Sequence, residues 1–82
     1  MKAKVYVALK KTVLDPQGKT IFSALQNLGY REVAEVRQGK FFDIELSNAL
    51  SPEQARETVE QIARDVLTNP VIEEFSYQIL NG

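Results

Sequence analysis

The stretch VAEVRQGKFFDIEL, residues 33–46 of an 82-residue chain, decides how the rest is read. Phe42, Ile44 and Leu46 alternate with Phe41, Asp43 and Glu45, the period-two pattern of a strand with one buried face. Residues 33–38 read as a strand of their own, and Gly39-Lys40 supplies the tight connection of a hairpin. With both strands counted, the chain has the elements of a four-stranded sheet.

On the N-terminal side, Val5, Val7 and Leu9 alternate with Lys4, Tyr6 and Ala8 and mark a first strand over 3–9. Ile21, Phe22, Leu25 and Leu28 then recur at helical spacing, and Gly29 follows where a left-handed residue commonly closes a helix. On the C-terminal side, Ser51-Pro52-Glu53-Gln54 opens a second helix, with serine as cap, proline at the first helical position and Gln54 completing a capping box. Its expected buried stripe is Ala55, Val59, Ile62, Ala63, Val66 and Leu67, and Glu60 and Arg64 pair on its wet side. Asn69-Pro70 ends it, and residues 71–80, rich in branched and aromatic side chains, form the last strand.

The order strand, helix, strand, strand, helix, strand predicts an α+β, ferredoxin-like βαββαβ sandwich in one domain over 1–82. Its four-stranded antiparallel sheet carries two helices on one face. Right-handed crossovers put the first and third strands in the centre and the second and fourth at the edges.

Composition narrows the function. Ten Lys and Arg against eleven Asp and Glu give a net charge of -1, which offers no basic excess for nucleic acid. Histidine and cysteine are both absent, so the usual groups for proton transfer, thiolate attack and soft-metal binding are missing. No catalytic or metal-binding residue is assigned. The uncharged run before Lys10 is too short for a signal core or a membrane span, and a cytoplasmic protein is expected. Glu73 and Glu74 point to opposite faces of a strand and read as solvated charges. Lys4 and Lys10 are expected to neutralise Asp43 and Glu45.

Asp15-Pro16-Gln17-Gly18 fits a type I turn and equally fits Asp15 capping a helix that begins at Pro16. The turn accommodates Gly18 at its fourth position, but the helix start explains it less well, since glycine in a first helical turn costs up to about 1 kcal/mol relative to alanine. Close approach of a partner's backbone is the expectation there. No Walker motif is present, because its opening glycine is absent, and a phosphate site ranks behind both a structural turn and a partner contact.

Four segments, VLDPQGKTI before the first helix, GY after it, VRQGK in the hairpin and LTNPVIEEF entering the last strand, resemble the PurS family of phosphoribosylformylglycinamidine (FGAM) synthase subunits. Thr68 stands where that pattern has a small residue such as alanine. The resemblance implies a non-catalytic accessory subunit of de novo purine biosynthesis, lying between a glutaminase subunit and a synthetase subunit. It also implies a homodimer or a higher assembly, with ATP and magnesium held by the synthetase partner and no cofactor on this chain. Partner contacts are expected at Asp15, Pro16, Gln17, Gly18, Arg37, Lys40, Asn69 and Pro70. The dimer interface is expected at the uncharged last strand (Phe75, Ser76, Tyr77, Gln78 and Ile79) or on the open sheet face bearing Tyr6 and Phe41. An amino-acid-sensing domain of the same element order is the alternative, and it too would lack catalytic groups.

Overall fold

In the computed structural model, which describes residues 1–80, the N-terminal alternating segment forms β1 (Lys2–Leu9). It lies at the centre of a three-stranded sheet, flanked by β2 (Gly39–Glu45) and β3 (Glu73–Leu80), both antiparallel to it. Val5 stands opposite Phe42 and Tyr77, and Ala3 stands opposite Ile44 and Ile79. This register gathers the apolar residues of all three strands on one face, where Ala3, Val5 and Val7 are buried.

Helix α2 (Pro52–Ile62) covers that face. Ser51 Oγ accepts from the Gln54 N–H and the Gln54 side chain accepts from the Ser51 N–H, which completes the expected capping box. Ala55, Val59 and Ala63 lie buried against the sheet, and the largest fully buried side chains of the core are only valines. Tyr77 donates its hydroxyl to Glu60 Oε1 at 2.7 Å and ties β3 to the helix. That bond to a carboxylate, reinforced by burial, raises the Tyr77 pKa above its ordinary value. The Glu60–Arg64 pair forms at 4.0 Å, as expected.

The helix then widens into a π-helical turn, Ala63–Leu67, around which the Thr68 hydroxyl donates to the Ala63 carbonyl. A wider turn shifts the angular position of each following side chain. Val66, expected in the buried stripe, is consequently turned out and 75% exposed, while Leu67 still packs on the core. Thr68 is extended, so the helix stops just before Asn69-Pro70.

Helix α1 (Pro16–Asn27) starts at Asp15 and closes as its sequence requires. Gly29 takes a φ of 95°, with the Tyr30 N–H on the Leu25 carbonyl and the Gly29 N–H on the Gln26 carbonyl, a Schellman closure. What differs from expectation is where α1 goes. It does not lie beside α2 on the sheet; the chain spans 51 × 29 × 14 Å with a radius of gyration of 16.2 Å, against about 12 Å for a compact chain of this length.

Residues 33–38 go with it, and this overturns the four-stranded sheet, the hairpin and the central place of the third strand. The Gln38 N–H donates to Asp15 Oδ2 at 2.7 Å, the Val33 carbonyl accepts from the Gln26 side chain at 2.9 Å, and the Val36 carbonyl lies against Gly18. Backbone groups that a hairpin would place in the sheet ladder are thus engaged by α1. Gly39, expected in the turn, is already in the ladder opposite Ala8. β2 becomes an edge strand; β1 in the centre and β3 at the other edge stand as expected.

Candidate functional site

The points of attachment to α1 define an arm. Positions 38, 36 and 33 meet positions 15, 18 and 26 in turn, so the segment runs antiparallel to the helix. Eight helical residues rise about 12 Å and three extended residues span about 10 Å, so the segment runs extended and the Gln26 side chain bridges the remainder. Because Gly39 pairs with the end of β1, this arm stands beyond the end of the sheet.

Its base is built around Asp15. The side chain is 5% exposed and accepts from the Gln38 N–H at 2.7 Å and the Gly18 N–H at 3.0 Å. These two bonds, the Gln38 one foremost, hold its carboxyl below the ordinary carboxylate pKa, with Arg37 contributing. The charged form is the one the fold needs. Arg37 lies across the loop from β1 to α1, donating to the Lys10 carbonyl at 2.9 Å and the Val13 carbonyl at 3.0 Å. Pro16 and Gln17 are exposed on the first turn, and the Gln38 side chain donates to that of Gln17.

The structure answers the Gly18 question within the chain. Gly18 is buried, and a Cβ there would fall on the Val36 carbonyl and come within 2.7 Å of Asp15 Oδ2. The backbone that approaches closely is the chain's own.

Lys40, Asn69 and Pro70 reach the same end of the sheet by another route. Glu73 accepts from the Asn69 N–H at 2.8 Å and pairs with Lys40 across β1 at 3.7 Å. The Lys10 N–H donates to the Ile72 carbonyl at 2.8 Å and closes the group. A shallow groove of about 250 Å³ runs between Asp15, Gln17, Lys40 and Glu73. All eight residues expected to contact a partner therefore cluster around one end of the sheet, at the base of the arm.

Glu73 is the member that sequence reading missed, having been taken for a solvated charge. Its side chain is only 17% exposed. The signal was present, because Glu73 shares the inward parity of Phe75, Tyr77 and Ile79. Gln38 was missed as well, since its part is played by its backbone N–H. Glu74 is exposed as expected.

Residues expected at the dimer interface divide between two faces. Phe75, Tyr77 and Ile79 pack on the core beneath α2, whereas Ser76 and Gln78 point to the open face with Tyr6 and Phe41. Tyr6 and Phe41 form a tilted aromatic pair with centroids 6.2 Å apart, and Lys4 lies over the Phe41 ring at 5.2 Å. Lys4 also pairs with Asp43 at 3.7 Å, as expected; the partner of Glu45 is Lys2, at 3.9 Å, and not Lys10.

The family model of PurS, phosphoribosylformylglycinamidine (FGAM) synthase, matches residues 2–81. The chain belongs to the PurS family. It is 38% identical over 78 residues to the synthase subunit PurS of Bacillus subtilis, covering 95% of this chain and 90% of that one. With PurS of Methanocaldococcus jannaschii the identity is 40% over 78 residues, covering 95% and 93%. Among solved structures, B. subtilis PurS superposes with a TM-score of 0.79 at 39% identity, covering 94% of each chain. A chain in the structure of PurLQS from Thermotoga maritima gives 0.79 at 32% identity, covering 96% of this chain and 95% of that one. The likeness to PurS thus extends to the fold along nearly the whole chain and is not confined to the sequence motifs.

Proposed function

We propose that this chain is the accessory PurS subunit of FGAM synthase in de novo purine biosynthesis. On this reading it bridges the glutaminase and synthetase subunits so that ammonia from glutamine reaches formylglycinamide ribonucleotide. The observation that carries the reading is the PurS match along residues 2–81, supported by likeness to a chain of the PurLQS structure. Chemistry, ATP and magnesium belong to the partner subunits, and this chain contributes shape and contact surface. The end of the sheet that gathers Asp15, Gln17, Lys40 and Asn69 is its partner-facing end.

The working form is a homodimer. A folded chain of 9.3 kDa is expected to expose about 5,000 Å². This one exposes 6119 Å². The surplus, about 1,100 Å², is larger than the ~800 Å² that each partner buries in a standard protein interface. Among the described residues no helix is long and apolar enough to cross a membrane. The proposed location is the cytoplasm, with the pathway.

Capture tests the assembly. The tagged chain, mixed with purified glutaminase and synthetase subunits and passed over a sizing column, is expected to co-elute with both. Separate elution of all three under conditions of turnover would refute the bridging role.

A further inference from the structure

We propose that Thr68 is a positioning residue: its hydroxyl selects between two helix ends that differ by one residue in register, and so sets where Asn69 and Pro70 stand at the partner-facing end. The choice of register is a property of the single chain. Its consequence for assembly rests on the function proposed above.

Both registers are written into the sequence. Val66 lies seven residues beyond Val59, and seven residues make two turns of an α-helix to within about 20°. An uninterrupted α2 would therefore set Val66 in line with Val59, against the sheet. A π-turn closes on the fifth residue where an α-helix closes on the fourth, so it takes in one extra residue. In the folded chain Leu67 packs on the core and Val66 faces solvent. The wide turn has passed the core position from residue 66 to residue 67, from the smaller apolar side chain to the larger.

Thr68 stands where that choice is made. It is the fifth residue after Ala63, and its hydroxyl donates to the Ala63 carbonyl, the one that opens the π-turn. Ala63 is wholly buried, so this carbonyl depends on the chain for its partner. In the α register the carbonyl would take the Leu67 N–H instead.

The next residues turn the register into a position. Thr68 is extended, and Asn69 at once enters a set of fixed contacts. Its N–H donates to Glu73 Oε1 at 2.8 Å, its side-chain oxygen accepts from the Val71 N–H at 3.1 Å, and its carbonyl accepts from the Glu73 N–H at 2.7 Å. The same Glu73 carboxylate meets Lys40 at 3.7 Å. An α register would return one residue to this connection, about 3.3 Å of extended chain, and so shift Asn69 and Pro70 relative to Glu73. Thr68 and Pro70 share the wall of a groove of about 240 Å³ with Arg64 and Glu73, so the turn and the clasp present one surface.

The chain has no cysteine, so a single thiol at position 66 reports its own surroundings. Val66→Cys is expected to react with a water-soluble aromatic disulfide as an exposed thiol. Adding Thr68→Val or Thr68→Ala is expected to slow that reaction at least about threefold, as loss of the hydroxyl bond lets position 66 turn toward the sheet. Thr68→Ser keeps the hydroxyl and is expected to leave the rate unchanged. Unfolding can only speed the reaction, so a fall cannot come from lost structure. Rates that stay above about a third of the parent's in both variants would overturn the register choice. In the cysteine-free chain, the concentration giving half the maximal glutamine-dependent rate with both partner subunits is expected to rise at least about threefold for Thr68→Val. The maximal rate, and the Thr68→Ser concentration, should not change. A slowed thiol with an unchanged half-maximal concentration would overturn the positioning role and leave the assembly reading standing. A parent chain that supports no glutamine-dependent rate at any concentration would remove the assembly reading and the positioning role with it, while the thiol rates still decide the register.

Discussion

Replacing Gly18 with leucine is expected to lower the melting temperature by more than about 10 °C. The first side-chain carbon would land on the Val36 carbonyl and crowd Asp15 Oδ2, so α1 and the extended segment would have to separate. Overpacking of this kind costs about 1–3 kcal/mol, and a helix start pinned between two backbones has little room to yield. For a domain of this size each kcal/mol moves the midpoint by roughly 4–8 °C. Thermal unfolding followed by circular dichroism gives the number. A leucine variant melting within two or three degrees of the parent would mean that the arm is not fastened at Gly18. The sequence had suggested an effect on assembly more than on folding; the buried contact reverses that order.

Asp15→Ala is expected to destabilise the chain by about 3 kcal/mol, combining a lost helix cap of ~1–2 with an unpaired Gln38 N–H at ~1–3. Acid should act on the same group. The folded-state pKa of Asp15 is lowered, chiefly by the Gln38 N–H and next by the Gly18 N–H. An unfolded chain therefore binds the proton more readily. The stabilisation is complete above the ordinary carboxylate pKa of about 3.9 and disappears as the pH falls through that value toward the lower folded one. Denaturant titrations of the parent and Asp15→Asn from pH 6 to pH 2.5 isolate the effect, since the other carboxylates are common to both. The stability gap should narrow as pH falls; a constant gap would show that the Asp15 charge is immaterial to the fold.

Legibility in the sequence followed the range of the interactions. The capping box at Ser51, the cap at Asp15, the glycine closure at Gly29 and the alternation of β1 and β3 are each settled within a few residues, and each forms as read. Residues 33–46 failed because a hairpin pattern states that two strands are compatible, not that they pair within one chain. The choice fell to contacts made across 23 and 24 positions, Gln38 to Asp15 and Arg37 to Val13, which no local pattern reports. The residues proposed to face a partner were chosen through family motifs. Their convergence on one end of the sheet, and the Glu73 clasp that joins Lys40 to Asn69, needed the fold.

The central claim is that this chain couples two activities and performs neither. The initial rate of FGAM formation, measured with the glutaminase and synthetase subunits present and this chain added or withheld, tests it most directly with glutamine and with free ammonia as alternative nitrogen sources. Withholding the chain is expected to abolish the glutamine-dependent rate and to leave most of the ammonia-dependent rate, because free ammonia bypasses the bridge. Equal glutamine-dependent rates with and without the chain would contradict the account.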